Sequence, residues 1–324
     1  MGIWTDVWRT EAKNWAFGRI GSEKAILPQK RYLSVMLRQL CIVNARVGFS
    51  RFYGAVEFYG RLPHMSGTPA EFASVTSPSK LRDIHRRDLG NFVFSNQRLL
   101  GPVPYTGGDL EIEIGLFTIK SQDLLMPYLD LLGELSDAAG LAFFSVAAPY
   151  ISAIKNGAAA LMRPEGSSAL EIGSSVTFNP AQEGVYFAAR IDSADYDLSR
   201  FSMDNNNHLL DEQGRRLAHV PYLIFSVTQS AVRDDWYQIP AISGAYNKLV
   251  VAVREQKSHK EVSSYFEHFR RVVFTDPDIL SGHAPQIVAW AEAKVAAAQR
   301  STKTSRRAQG PTLPALRILQ LAPI

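Results

Sequence analysis

The chain has 324 residues, of which 46% are hydrophobic and 20% are charged, and its formal net charge is +4. A chain of this length and composition can bury a large core in one domain or two, and its small basic surplus does not by itself indicate nucleic-acid binding. The single cysteine, Cys41, excludes an internal disulfide and fits a reducing compartment, so we expect a cytoplasmic protein.

The first 29 residues are predicted to form a helical arm. Trp4, Trp8 and Trp15 recur at helical spacing on one face of this arm. Because tryptophan is enriched at the energetic centres of interfaces, the arm either packs on its own domain or anchors a protein partner or a second copy of the chain. No basic segment followed by an apolar run opens the sequence, so we expect no secretory signal.

The segment that follows the arm has β character. Residues 31–43 and 49–60 are rich in aromatic and β-branched side chains, and they predict two long strands. Residues 63–78 are rich in Ser, Thr, Pro and Gly, which predicts an irregular connection. Residues 91–94 then continue the sheet.

A short basic helix is predicted to follow the connection. Ser77 is a suitable N-cap and Pro78 occupies the first helical position. Arg82, Arg86 and Arg87 then form a basic patch. This patch is either a solvated helix face or a contact surface for an acidic partner or for lipid head groups at a membrane surface.

The most informative pattern is a change of period in the middle of the chain. Residues 110–120 alternate sharply between apolar and polar positions, most clearly at 110–114, and an alternating pattern resumes at 169–178. Between them the apolar positions follow the helical period of about 3.6 residues. The pattern predicts a helical hairpin at 121–165, inserted into a mostly antiparallel β-structure.

Residues 138–162 are the best candidate for a membrane span. Pro149, Lys155 and Asn156 interrupt this segment, and its continuous apolar run is shorter than the roughly 20 residues that a bilayer requires. We therefore expect no stable transmembrane segment and interpret 138–162 as buried core helix.

Three more strands are predicted at 185–191, 222–228 and 249–253, with a polar turn region at 204–214. Ser258 and Glu261 have the spacing of a capping box that opens a helix. A second C-terminal helix is predicted from Ala284 to Arg300, where helix-forming residues predominate.

These patterns together predict an α+β protein built around an antiparallel β-sandwich, of which a C2-like fold is one form. The expected organisation is a helical arm at 1–29, a sandwich domain at 30–255 with the insertion at 121–165, C-terminal helices at 256–300 and a basic, proline-bearing tail at 301–324.

Two predicted loops contain the candidate metal ligands. These are the aspartates Asp192, Asp195, Asp197, Asp234 and Asp235. Carboxylates at one end of a sandwich would supply the hard oxygen ligands that Ca²⁺ prefers, so calcium is the candidate cofactor. The other interpretation is that these aspartates cap turns, as aspartates commonly do.

The sequence contains no complete catalytic motif. Ser77 and Lys80 have Ser-x-x-Lys spacing, but the companion elements of that motif are absent. The seven histidines form no zinc-binding pattern, and phosphate-binding and dinucleotide-binding loops are missing. We therefore predict no catalytic residues.

Three functions remain, and the first is favoured. It is a non-catalytic binding or scaffold subunit of a larger assembly, using Trp4, Trp8 and Trp15 of the arm and the basic patch. The second is a hydrolase or metal-dependent enzyme, whose site combines His219 with four of the candidate metal ligands, Asp192, Asp195, Asp234 and Asp235. The third is a membrane-active protein that releases residues 138–162 from its core.

Overall fold

The structure, a computed structural model, describes residues 15–43, 46–47, 50–75, 92–120 and 168–305. The chain divides into two compact units, Met1–Ser230 and Ala231–Ile324. The described part of the first unit consists mainly of antiparallel strands, and that of the second mainly of helices, so the α+β class is confirmed.

Several predicted features lie outside the described residues. They are Trp4 and Trp8 of the arm, the basic patch Arg82, Arg86 and Arg87, the helical hairpin 121–165 with its segment 138–162, and the tail beyond residue 305.

The first unit contains two larger antiparallel sheets and a small one. The first sheet has the spatial order β1 (Ala16–Ala25), β9 (Gln182–Ala189), β12 (Tyr222–Ser230), β2 (Tyr32–Cys41) and β6 (Phe92–Pro104). The second has the order β3 (Arg46–Val47), β4 (Ser50–Leu62), β7 (Leu110–Lys120) and β8 (Ser168–Phe178), and β5 (Ala70–Val75) also pairs with β4. The small sheet pairs β10 (Ser202–Met203) with β11 (Leu209–Leu210).

The predicted alternation in β7 separates two faces of the second sheet. Ile112, Ile114 and Leu116 are fully buried in a hydrophobic cluster, whereas Glu111 and Glu113 lie on the opposite face. The same cluster contains side chains from both larger sheets, so the two sheets share one core. Its members include Val35, Leu37, Leu223 and Phe225 from the first sheet and Val56, Phe58, Ile112 and Ile114 from the second.

The connection between β9 and β12 covers the other face of the first sheet. Phe201, Leu209 and Leu217 from this connection form a second hydrophobic cluster with Cys41 and Ile224 of the sheet. Cys41 is completely buried within this second cluster. Burial raises the pKa of its thiol to about 12, which leaves no thiolate for nucleophilic chemistry.

Strand β1 occupies residues that we had assigned to the helical arm. These residues pair with β9, and glycine is required at position 18 of this pairing, because a Cβ atom there would lie 2.4 Å from the ring of Phe187, its register partner. The missing side chain therefore lets an aromatic ring pack over the β1 backbone. The tryptophan spacing that suggested a helix ends at Trp15, one residue before this strand begins.

Strand β5 lies inside the region 63–78, which was predicted to be an irregular connection. Ala70 and Phe72 are buried in the shared core, because β5 pairs with β4 over Glu57–Leu62. The prediction was therefore wrong for these residues. Tertiary pairing outweighed a local composition that is typical of loops.

The second unit contains three described helices, α1 (Pro240–Arg254), α2 (His259–Thr275) and α3 (Ala284–Ser305). The strand predicted at 249–253 is wrong, since these residues form the last turns of α1. Their β-branched side chains favour a strand, but Ile242, Ala245, Leu249 and Ala252 recur at helical spacing and are buried. None of the helices in the described part of the chain has the length and apolar character that a membrane crossing requires.

The capping box predicted at the start of α2 is confirmed. The Ser258 hydroxyl accepts a hydrogen bond from the Glu261 backbone at 3.3 Å, and the Glu261 carboxylate accepts one from the Ser258 backbone at 3.0 Å. These contacts satisfy two backbone donors that the helix itself cannot pair.

Replacing Ser258 with alanine is expected to lower the free energy of unfolding by about 1 kcal/mol, because α2 loses its N-cap. Urea denaturation followed by circular dichroism would measure this loss. Ser264→Ala, at an exposed position inside the same helix, is the matched control. A Ser258 variant as stable as this control would show that the cap contributes nothing.

Candidate binding cleft

Two residues from separate predicted groups come together in the first unit. Trp15 belongs to the predicted interface and Asp192 to the predicted metal ligands, and both line one open cleft with a volume of about 460 Å³. Cavities of this size are typical of sites for small molecules or short chain segments. The lining residues are Trp15, Ala16, Phe17, Gly173, Ser174, Ser175, Ile191, Asp192 and Ser193.

The cleft lies beside the edge strands of both larger sheets. Ala16 and Phe17 belong to β1, at the edge of the first sheet, and the segment Gly173–Ser175 belongs to β8, at the edge of the second. In the described part of the chain, β7 is the one strand that pairs with β8. Backbone N–H and C=O groups on the outer edge of a strand can form hydrogen bonds with an added extended segment.

The two edge strands differ in how well they are protected. β1 has a register shift between Ile20 and Lys24, and Arg19 forms an ion pair with Glu23 at 2.7 Å. Bulges and charges of this kind discourage pairing with another chain. The stretch from Ile172 to Phe178 of β8 contains no charged residue, so it lacks this protection.

The cleft offers a mixed set of binding groups. Trp15 is half-buried and presents an indole ring with one N–H donor. Asp192 is exposed, and its Oδ1 accepts a hydrogen bond from the backbone of Ala194 at 2.9 Å. No other contact of this carboxylate occurs within the described ranges, which leaves Oδ2 available to a ligand. Ser174, Ser175 and Ser193 add hydroxyl groups that can donate or accept.

The aspartates near the cleft cap short 3₁₀ turns. Asp192 caps the turn at Ser193–Asp195, and Asp197 caps the next one, where it accepts hydrogen bonds from the Ser199 hydroxyl at 2.6 Å and backbone at 3.1 Å. The pKa of Asp197 is lowered, mainly by the hydrogen bond from the Ser199 hydroxyl. Asp195 is exposed in the first of these turns. Asp192 and Asp197 therefore act as local caps in this structure.

The other two candidate ligands, Asp234 and Asp235, lie in the second unit. Asp234 is exposed, whereas Asp235 is buried and forms an ion pair with the Arg233 guanidinium at 2.8 Å. His219, which the enzyme hypothesis combined with these acids, is an exposed residue of the first unit. Within the described ranges, no group of three or more His, Cys, Asp or Glu side chains is arranged to hold a metal ion.

The first half of the polar turn predicted at 204–214 is organised by the Asp204 carboxylate, and the second half by that of Asp211, which accepts hydrogen bonds from the backbones of Gln213 and Arg215. Asp204 Oδ1 accepts hydrogen bonds from the backbones of Asn206 and His208 at 2.8 and 2.9 Å, and Oδ2 lies 2.8 Å from Arg216 Nη2. Burial alone would raise the pKa of Asp204, but hydrogen bonds from His208 and Asn206 lower it to about 2. This carboxylate therefore stays ionised and has a structural role.

The sequence did not identify most of the cleft. The sequence predicts Gly173, Ser174, Ser175 and Ile191 only as strand residues without a function, and it does not single out Ser193. One signal was present, because an uncharged Gly-Ser-Ser run within an alternating strand is typical of a poorly protected edge. That signal becomes informative only when β8 is known to be the edge strand.

Comparisons with known proteins identify no relative of this chain. No protein-family model matches it, and no curated protein or solved structure matches it significantly.

Proposed function

We propose that this protein is a non-catalytic binding subunit of a larger assembly and that its cleft receives an extended segment of a partner protein. The observation that carries the proposal is the position of Trp15 and Asp192 beside the uncharged edge of β8. A segment lying there could pair its backbone with β8, pack an apolar side chain against the indole and place a polar or basic group near Asp192.

We also propose that the two larger sheets form a β-sandwich. The support for this arrangement is the single hydrophobic cluster to which both sheets contribute. A sandwich provides a rigid frame for its edge strands, and binding sites on rigid elements keep their geometry before the ligand arrives.

Replacing Trp15 with alanine is expected to reduce recovery of the partner about tenfold or more, because aromatic side chains in the centre of an interface carry much of its binding energy. Ser175→Lys is expected to act similarly, since it places a charge on the β8 edge. The measurement is quantitative mass spectrometry after affinity purification of the tagged full chain from cells that express it.

The matched control is Ser22→Lys, which adds the same charge at an exposed position of the protected edge strand β1. This variant should recover the partner at the wild-type level. Equal recovery by the wild type, Trp15→Ala and Ser175→Lys would remove the cleft from any account of binding.

A further inference from the structure

One carboxyl group of the second sheet is buried and has no hydrogen-bond partner among the residues that the structure describes. Glu57 of β4 is 3% exposed, and neither of its carboxyl oxygens forms a hydrogen bond with any described residue. Its register partner on β7 is Gly115, which has no side chain to offer. A buried charge without a counter-charge is costly, so this arrangement favours the neutral acid.

A second buried acid lies near Glu57 on the same face. Glu113, which is also 3% exposed, lies diagonally across the β4–β7 pair, opposite Tyr59. Diagonal neighbours of this kind are about 7–8 Å apart in antiparallel sheets. The titratable and charged groups that the paired segments Glu57–Leu62, Ala70–Val75 and Glu111–Gly115 contribute to this face are Tyr59 and Arg61 of β4, Glu71 of β5, and Glu111 and Glu113 of β7. Glu171 of β8 instead accepts a hydrogen bond at 2.7 Å from Thr118, which lies on the other face.

The nearby arginine serves other carboxylates. Arg61 Nη1 lies 3.6 Å from Glu111, and Arg61 Nε lies 3.8 Å from Glu71, with all three side chains more than a third exposed. The exposed acids of this face therefore have a counter-charge. Glu57 is farther from these acids, because it lies two positions before Tyr59 on β4 and Arg61 lies two positions after it. Glu57 has no counter-charge among the described residues.

We propose that the protonation state of Glu57 controls whether the face that β4 and β7 share is closed or open. While this face is closed, Glu57 is held as a neutral acid. When the face opens, the carboxyl reaches water, ionises and releases one proton. Opening is therefore coupled to proton release, and a rise in pH favours the open form.

The direction and the pH range follow from the two states of the carboxyl. Burial raises the pKa of Glu57 from 4.5 to about 8 in the closed form, and exposure restores the ordinary value. A group with a raised pKa stabilises the closed form fully below its ordinary pKa and loses this effect as pH rises through the raised one. Between the ordinary and the raised pKa, the equilibrium constant for opening increases about tenfold per pH unit. Above pH 8 this constant no longer depends on pH.

Hydrogen exchange of the full chain tests directly whether opening of this face is coupled to the ionisation of Glu57. Protection factors, which are corrected for the intrinsic effect of pH on exchange, would be measured at about pH 6 and pH 7 for amides in 54–62 and 110–118. We expect about a tenfold loss of protection in the wild type between these pH values. Glu57→Gln should abolish most of this loss, because the amide does not ionise.

Glu111→Gln is the matched control, since it removes an exposed carboxyl from the same face and should keep the wild-type pH dependence. Glu57→Leu is a second variant without an ionisable group, and it is used if the glutamine amide prevents folding. Its protection factors should also be independent of pH. A flat wild-type profile would overturn the proposal. So would a Glu57 variant that retains the wild-type slope.

Discussion

Replacing Arg233 with methionine is expected to lower the free energy of unfolding of the second unit by about 3–5 kcal/mol. The Arg233 side chain is completely buried, and its Nε lies 2.8 Å from Asp235 Oδ1. Its Nη1 donates a hydrogen bond to the backbone carbonyl of Asp278 at 2.9 Å. Removing one member of a buried pair leaves the other charge uncompensated, and this residual charge accounts for most of the cost. Urea denaturation followed by the helical circular dichroism signal would measure the effect.

Arg254→Met is the control, because this arginine is exposed on α1 and its loss should change stability by less than about 0.5 kcal/mol. A second readout comes from His283. Burial lowers the pKa of this buried histidine to about 4, and the positive charge of Arg233 contributes. The Arg233 variant should therefore show a higher His283 pKa in a nuclear magnetic resonance titration. A variant that loses less than about 1 kcal/mol would contradict this interpretation of the buried pair.

Replacing Phe225 with alanine is expected to destabilise the first unit by about 3–5 kcal/mol. Phe225 is fully buried in the core that both sheets share, with its ring centre 5.6 Å from that of Tyr186 and 6.2 Å from that of Phe17. The truncation removes a large apolar surface and leaves a cavity between packed rings, which the neighbours can fill only in part. Thermal or urea denaturation of the full chain would measure the loss.

The matched comparison is Leu27→Ala in the same unit, because Leu27 is 49% exposed and makes little contribution to the core. Its effect should stay below about 0.5 kcal/mol. If both substitutions cost the same, the aromatic cluster around Phe225 would not be part of the stabilising core.

Strand β7 and the last two helices could be predicted because their local patterns agree with their tertiary environment. In β7 the alternation of Ile112, Glu113 and Ile114 corresponds to a buried core face and an opposite face. In α2 the capping box and the buried Val262, Phe269 and Val273 all favour the same helix. When propensity, periodicity and capping indicate one structure, sequence interpretation is reliable.

Prediction failed where long-range packing outweighed the local pattern. The β-branched residues at the end of α1 favour a strand, but their spacing buries one helical face. The candidate cleft was not predictable as a unit, because it joins Trp15, Gly173 and Asp192 from three distant segments. Nothing in the local sequence specifies that the edges of two sheets approach the same place. The aspartates were conspicuous in the sequence, yet Asp192 and Asp197 serve as local caps.

The order of the strands in the first sheet has a consequence for the newly made chain. Strand β2 lies between β6 and β12, and the contact of Arg38 with Ser226 joins residues 188 positions apart. During synthesis, β2 can pair with β6 early, but its other edge must wait until residues 222–230 leave the ribosome. Pairing between such distant segments forms slowly, and an unpaired apolar strand is prone to aggregation. The half-made protein is therefore expected to depend on chaperones until its last strand arrives.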